Sequence, residues 1–324
     1  MKSDQDTFAS DKIYIVGAGA IGMALAVNLM VCGRTVAVIR TSKSNYSWDK
    51  VQISVQFDGD LTIEAPLKMV SLSKLDALDK GMIVIAAKAN ANRFLASELR
   101  DKQSNGPIII MQNGIGVESP FMDAGFPDIY RCVLYATSQE QQQNSFRFRS
   151  VAASPIGTLI GDSYKLGHIV TQLSTSKFQF RAEERIEEEV WKKAIMNAVF
   201  NSVCPLLEVD NGIFSRDKIA AGIALEIIEE TVEVTKRLGL GLNSKGLMEQ
   251  LLTISERSEG QLISTFQDLK NGNETEIDFL NLEIARIAGA MNPKIAVSKT
   301  KILGELISSK SRINRSRNVG QKEL

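Results

Sequence analysis

The chain is short of the residues on which several chemistries depend. Its 324 residues include one histidine, His168, three cysteines, and no excess of either charge, with 38 Lys and Arg against 38 Asp and Glu. A single imidazole excludes a histidine-rich metal site, so no metal is expected, and any Ser-His-Asp triad would have to use His168. Cys32, Cys132 and Cys204 lie far apart, so there is no C-x-x-C pair for zinc or thiol redox chemistry. They read as buried free thiols in a reducing compartment, the cytoplasm. Zero net charge argues against a nucleic-acid partner, whose phosphates require Lys and Arg in excess on one face. Residues 13–33 carry no charge and are long enough to span a bilayer, but their glycines have a mechanical explanation of their own, so no membrane segment is expected. What remains is a soluble globular composition, 44% apolar and 23% charged, with length for two domains.

From Lys12 onwards short apolar runs alternate with helix-like stretches, the pattern of βαβ units on a parallel sheet. The pattern predicts strands at 13–16, 35–39, 82–86, 107–111 and 130–135, and a helix at 22–32 closed by Gly33. Continuous apolar strands of this kind are buried on both faces. Residues 146–161 alternate like antiparallel strands finishing the sheet. Near Arg181 the texture changes, and helices are predicted at 183–203, 218–238, 244–254 and 275–290. The expected fold is α/β: an N-terminal Rossmann-type dinucleotide-binding domain over 11–180 followed by an all-α domain over 181–310. A basic, solvated tail is expected over 311–324, and the helical domain offers surfaces for a homodimer.

Gly17-Ala-Gly19-Ala-Ile-Gly22 follows a predicted strand and opens a predicted helix. The first glycine permits the tight turn, the second lets the backbone approach a pyrophosphate, and the third lets helix and strand pack closely. The end of the second strand, about 20 residues on, usually carries an acidic residue for the ribose hydroxyl in an NAD enzyme. Here Arg40-Thr-Ser42-Lys43 stands instead. A guanidinium, a hydroxyl and an ammonium suit a 2′-phosphate, which favours NADPH, although a surface arginine at a strand end has the same sequence appearance.

Lys193, Asn197 and Asn201 are spaced by four, so they share one stripe of a helix whose other faces carry Ile195, Val199, Phe200 and Val203. Amides and ammonium groups on such a helix need partners when buried, so the stripe meets a polar ligand or a polar neighbouring domain.

Trp191-x-Lys193-x-x-x-Asn197-x-x-x-Asn201 joins three further motifs in order: Gln112-Asn113-Gly114-Ile-Gly116 after a strand, Ser264-Thr-Phe-Gln-Asp268, and Thr275-Glu276-Ile-Asp278. Together they resemble the ketopantoate reductase (2-dehydropantoate 2-reductase) family from Lys12 to about Ser308. The resemblance implies NADPH-dependent reduction of a small 2-oxo acid, ketopantoate, to pantoate in pantothenate and coenzyme A biosynthesis, with the active site in a cleft between the two domains. It implies that Lys193 is the catalytic acid, protonating the carbonyl oxygen while hydride reaches C2. Asn113 would lie near nicotinamide and substrate, Asn197 and Asn201 would line the substrate pocket, Ser264 would bind substrate, and Glu276 would hold its hydroxyl. Lys88 would stand beside the cofactor, with Gly17, Gly19, Gly22, Arg40, Ser42 and Lys43. The chemistry agrees, since lysine and amide donors can stabilise a developing alkoxide and a carboxylate without a histidine.

Each of these residues also has a plainer reading. Asn113-Gly114 alone suits a hairpin turn, Glu276 three residues after Asn273 suits a capping box, Lys88 an exposed loop, and Ser264 a helix surface. Two features depart from the family: Leu282, rather than Gly, follows Asn281, and residues 146–161 lack a histidine. These departures admit a related reductase of another 2-oxo acid or an opine-type substrate. A non-catalytic NADP(H) sensor is a third reading, but it has no use for the Lys193, Asn197, Asn201 and Glu276 set.

Overall fold

The computed structural model describes residues 12–41, 45–57, 61–102 and 106–320, which form two compact units. The first contains the described residues up to Gln112 together with Val117–Ile186, and the second contains Asn113–Gly116 and those from Glu187 onwards.

In the first unit the strands are β1 (Lys12–Val16), β2 (Thr35–Arg40), β3 (Ser47–Gln56), β4 (Thr62–Ser71), β5 (Met82–Ile85), β6 (Ile108–Ile110), β7 (Ile129–Cys132), β8 (Ala136–Gln142), β9 (Ser145–Ser150), β10 (Ser154–Ile160) and β11 (Phe180–Ala182). Among the described residues these eleven strands make one sheet in the order β11-β10-β7-β6-β5-β1-β2-β4-β3-β9-β8. The run β4-β2-β1-β5-β6-β7 is parallel throughout, the Rossmann-like centre of the unit. Its inner strands β5 and β6 are apolar along their whole length and β1 after Lys12, because both faces are covered, and Ile13, Ile15, Val84 and Ile109 are all buried. Helices α1 (Ala20–Val31), α2 (Asn92–Asp101), α3 (Ser119–Asp123) and α4 (Lys165–Leu173) complete it. A row of rings runs through its core, Phe57 to Phe148 at 5.6 Å, Phe148 to Phe178 at 4.6 Å and Phe178 to Phe180 at 4.9 Å.

Strands β3 and β4 lie outside the predicted set because their signal is alternation and not an apolar run, and β8 because it is polar and mostly exposed. In β4, Ala65, Leu67 and Met69 are buried between exposed Glu64, Pro66 and Lys68. The segment 146–161 also differs from expectation. Strand β10 pairs antiparallel with β7 near one end of the sheet, whereas β9 pairs with β3 and β8 near the other.

The second unit contains no strand among its described residues. Its helices are α5 (Ile186–Leu207), α6 (Ile213–Arg216), α7 (Lys218–Arg237), α8 (Ser244–Arg257), α9 (Ser264–Lys270), α10 (Asn281–Ala290) and α11 (Ser298–Gly320), with a 3₁₀ turn at Ile277–Phe279. The apolar side of α5, including Ile195, Ala198 and Val199, packs in one core with Ile227 and Ile228 of α7, Leu251 of α8 and Ile284 of α10. Helix starts are satisfied locally: Asp217 accepts from Ala220 N at 2.8 Å and Asn243 from Gly246 N at 2.8 Å. The Glu230 carboxylate accepts from Lys299 N at 3.0 Å and Thr300 N at 2.9 Å, capping α11 from α7.

Three expectations are corrected. The helix predicted over 275–290 is broken into the 3₁₀ turn and α10, with Leu280 at φ −119° and ψ −106° between them. The tail predicted over 311–324 is helical through Gly320, because Ser311 is buried and Asn314 Nδ2 donates to Leu269 O at 3.3 Å. Cys132 and Cys204 are buried, but Cys32, at the end of α1 where the chain turns through Gly33, is exposed.

Candidate functional site

Gly17 ends β1 with φ at +116°, its N–H donating to Ile39 O at 2.9 Å, and a Cβ there would collide with the backbone nitrogen of Ala87. A Cβ at Gly22 would collide with Gly17 O, whereas one at Gly19 would meet nothing within 4 Å. The outer two glycines are therefore packing requirements, and the middle one leaves open space before the first turn of α1. That turn has no side-chain cap and no acidic residue. Its amides can face an anion, and the cradle fits a dinucleotide pyrophosphate.

Arg40 closes β2 opposite Ser71 of β4, its guanidinium over the Tyr46 ring at 5.1 Å and its Nε buried, with no partner among the described residues. Ser71 fixes Tyr46 by accepting from Tyr46 N at 2.9 Å and donating its own N–H to Tyr46 O at 3.0 Å. Ser42 and Lys43 lie outside the described residues. Lys88 is exposed at the start of a 3₁₀ turn, where its carbonyl accepts from Ala91 N at 3.1 Å. Tyr46 was not singled out from sequence, since nothing local marks an aromatic in a polar loop as the floor of an arginine.

The Asn113–Gly116 segment belongs to the second unit. Gly114 has φ +103° and Gly116 φ +72°, Ile115 N donates to Phe279 O at 2.8 Å, and a Cβ on Gly114 would lie 2.6 Å from Phe279 Cβ. The segment is not a hairpin, because β6 has ended at Ile110 and α3 follows. Its seat is the 3₁₀ turn immediately after Glu276, which is itself half-buried. No α-helix begins at Asn273, whose N–H goes to Asp268 O at 2.8 Å, so the capping-box reading of Glu276 fails. Burial, with Glu274 adding to it, pushes the neighbouring Asp278 carboxyl above the ordinary carboxylate range against the pull of Arg315.

On α5, Lys193 and Asn197 are half-buried and Asn201 is 3% exposed, with its Oδ1 buried and without a partner among the described residues. Asn281, fully buried, donates from Nδ2 to Ala198 O at 3.1 Å and to Thr300 O at 3.3 Å, tying α10 and α11 to α5 beside that stripe. Ser264 is the exposed first residue of α9. The structure thus gathers Lys193, Asn197 and Asn201 on one helix and seats the Asn113 segment beside Glu276, while Ser264 and Lys88 stand at exposed positions. His168 is half-buried on α4, away from every motif in sequence. Among the described residues no helix is long and apolar enough to cross a membrane, and no group of three or more His, Cys, Asp or Glu side chains could hold a metal ion.

A parallel sheet with a glycine turn at its centre, joined to an all-α unit bearing a lysine and asparagine stripe, defines a Rossmann-like α/β protein with a helical second unit. The model for ketopantoate reductase PanE/ApbA matches residues 13–160, and that for its C-terminal part matches residues 185–310. The chain belongs to the ketopantoate reductase family and is an oxidoreductase of that family. It is 26% identical over 288 residues to a 2-dehydropantoate 2-reductase of Pyrococcus horikoshii, covering 87% of this chain and 92% of that one. Two solved structures share its fold. One is D-mandelate dehydrogenase with NADH and anilino(oxo)acetate, with a TM-score of 0.82, 22% identity, and coverage of 94% of this chain and 99% of that one. The other is a dimeric ketopantoate reductase from Staphylococcus aureus, with a TM-score of 0.75, 16% identity and the same coverages, 94% and 99%.

Proposed function

We propose that the chain reduces 2-dehydropantoate to pantoate with NADPH, in the cytoplasm. The observation that carries this is the α5 stripe in a chain of this family: Lys193 and Asn197 half-buried and Asn201 buried, its amide oxygen without a partner among the described residues. An unpartnered buried acceptor costs about 1–3 kcal/mol, which a hydroxyl donor from the substrate would offset. Gly17, Gly19, Gly22, Arg40, Ser42, Lys43 and Lys88 hold the dinucleotide, whose nicotinamide supplies hydride when bound. Lys193 donates a proton to the carbonyl oxygen as negative charge develops there, and its ammonium stabilises that charge. Asn113, Asn197 and Asn201 orient the oxo acid, Ser264 binds it through its own hydroxyl, and Glu276 holds the substrate's hydroxyl. Arg40, which has no acidic neighbour in Thr41 to Lys43, supports NADPH over NADH. The dimeric Staphylococcus aureus neighbour supports a homodimer.

Lys193→Ala is expected to lower kcat by at least ~10²-fold, the scale of a lost general acid, while NADPH affinity stays within about twofold by direct titration. Near-normal turnover in that variant overturns the role of Lys193. A second reading, reduction of another 2-oxo acid, is favoured by Leu282 in place of glycine and by the likeness to a mandelate dehydrogenase described with NADH. A panel of 2-oxo acids followed by NADPH and NADH absorbance separates the two, and a preference for a substrate other than ketopantoate selects the second.

A further inference from the structure

Two primary amides in the first unit face one another in a closed pair. Asn92 Nδ2 donates to Gln112 Oε1 at 2.7 Å, and Gln112 Nε2 donates to Asn92 Oδ1 at 2.7 Å. Each has a second hydrogen to give. Asn92 gives it to Val117 O at 2.7 Å and Gln112 to Ala87 O at 2.7 Å, so all four amide hydrogens are used. Both side chains are buried, Asn92 1% and Gln112 6% exposed.

The four bonds converge on particular places in the chain. Gln112 immediately precedes Asn113, and Val117 immediately follows Gly116, so the pair closes the base of the Asn113–Gly116 segment at both ends. Ala87 immediately precedes Lys88. Below the same base, Arg131 donates from Nη1 to Ile110 O at 3.1 Å and lies 3.6 Å from Glu118, the residue after Val117. The turns that follow two adjacent parallel strands, β5 and β6, are thereby tied to one another at their bases.

We infer that Asn92 and Gln112 are positioning residues that hold together three points of the first unit, Ala87 just before Lys88, Gln112 just before Asn113, and Val117. The inference rests on the reductase reading, in which Asn113 and Lys88 meet substrate and dinucleotide. Neither amide touches reactants. Their effect is geometric, and displacing a group in an active site by about 1 Å can cost 10²-fold in rate.

The test uses Gln112→Met and Asn92→Leu, which keep the size of each side chain without its amide, the double variant, and the milder Gln112→Asn, which keeps an amide but withdraws its reach. For each, kcat and KM with ketopantoate, NADPH affinity by protein fluorescence, and thermal stability are measured. Each single variant should lose about tenfold or more in kcat, weaken NADPH binding and melt earlier. The double variant should lose less stability than the two single losses summed, because the mutual bonds of the pair go together, although Val117 O and Ala87 O still lose their donors, and it should remain slow. A purely structural pair predicts instead that kcat follows stability. Gln112→Asn should fold as wild type and lose about tenfold in kcat, so the outcome does not depend on whether the apolar variants fold. Wild-type kcat and NADPH affinity, within twofold, in either the double variant or Gln112→Asn overturns the inference. Wild-type protein that binds NADPH but reduces no 2-oxo acid overturns the reductase reading instead, and the pair is then decided by NADPH affinity alone, unchanged affinity in these variants overturning it.

Discussion

Three glycines in one turn do two different kinds of work. Gly17 and Gly22 are demanded by atoms already in the protein, the Ala87 nitrogen and the Gly17 oxygen, whereas at Gly19 the space is open. An open position among crowded ones is where a ligand backbone can come close. The cysteines divide by environment in the same way. Cys32 is exposed, Cys132 is 1% exposed, and Cys204 is fully buried, where desolvation, aided by Asp210, pushes its thiol up to about 12. Thiolate is the reactive form, so at neutral pH Cys204 stays a protonated, inert thiol. Ellman's reagent should therefore titrate one thiol promptly in the native protein and three after denaturation, with Cys32→Ser removing the prompt one. Prompt reaction of two or more thiols in the folded protein would contradict this burial. From sequence the cysteines could be counted but not sorted, because Cys32 sits in an apolar helix and only the turn at Gly33 brings it to the surface.

Helix boundaries in the second unit show how packing overrides pattern. The periodicity over 275–290 is helical, yet the chain breaks at Leu280 so that the Phe279 carbonyl can receive Ile115 N and Asn281 can reach Ala198. Helix α11 then lies tightly on α10: a Cβ at Gly304 would sit 2.7 Å from Asn281 Cβ and 3.0 Å from Leu282 Cδ2. Gly304 makes room for Leu282, the residue that departs from the family's glycine. Gly304→Ala should destabilise the protein by about 1–3 kcal/mol through overpacking, less the ~1 kcal/mol that alanine gains over glycine in a helix. A fall in thermal midpoint checks it, and a rise would show that α11 can shift away without cost. The same helix runs on from Lys310, whose ammonium donates to Pro205 O at 2.9 Å and Glu208 Oε1 at 2.9 Å, into the segment read as a tail, which is partly docked through buried Ser311 and through Asn314.

Over the whole molecule net charge is zero, 38 basic against 38 acidic side chains, so selectivity for a phosphate has to come from single local cations. Arg40 is held over Tyr46 at the end of β2, which predicts a selective thermal shift. Ligand at a hundredfold excess over Kd stabilises the state that binds it by about 2.7 kcal/mol. NADPH should raise the midpoint of the wild-type protein by a few degrees, more than NADH at equal concentration. In Arg40→Ala the NADPH shift should fall towards the NADH shift, which itself stays unchanged. Equal shifts by both dinucleotides in the wild type would remove Arg40 from phosphate recognition.

The parallel strands, the glycine turn and the Lys193 stripe were legible because each is written in neighbouring residues: a run, a turn spacing, a period of four. The half-exposed strands β3 and β4 escaped because alternation over polar residues is a weak local signal, and the pairing of β9 and β10 with opposite ends of the sheet is a long-range fact. Chemistry-bearing residue types and their order along the chain follow from local pattern. Their setting does not. Asn92 meets Gln112, Ile115 meets Phe279, and Asn281 meets Thr300 across separations that no helical or strand period encodes. Such contacts exist because buried amides and carbonyls must find partners once the apolar faces have packed, and which partner each finds is decided by the folded chain as a whole.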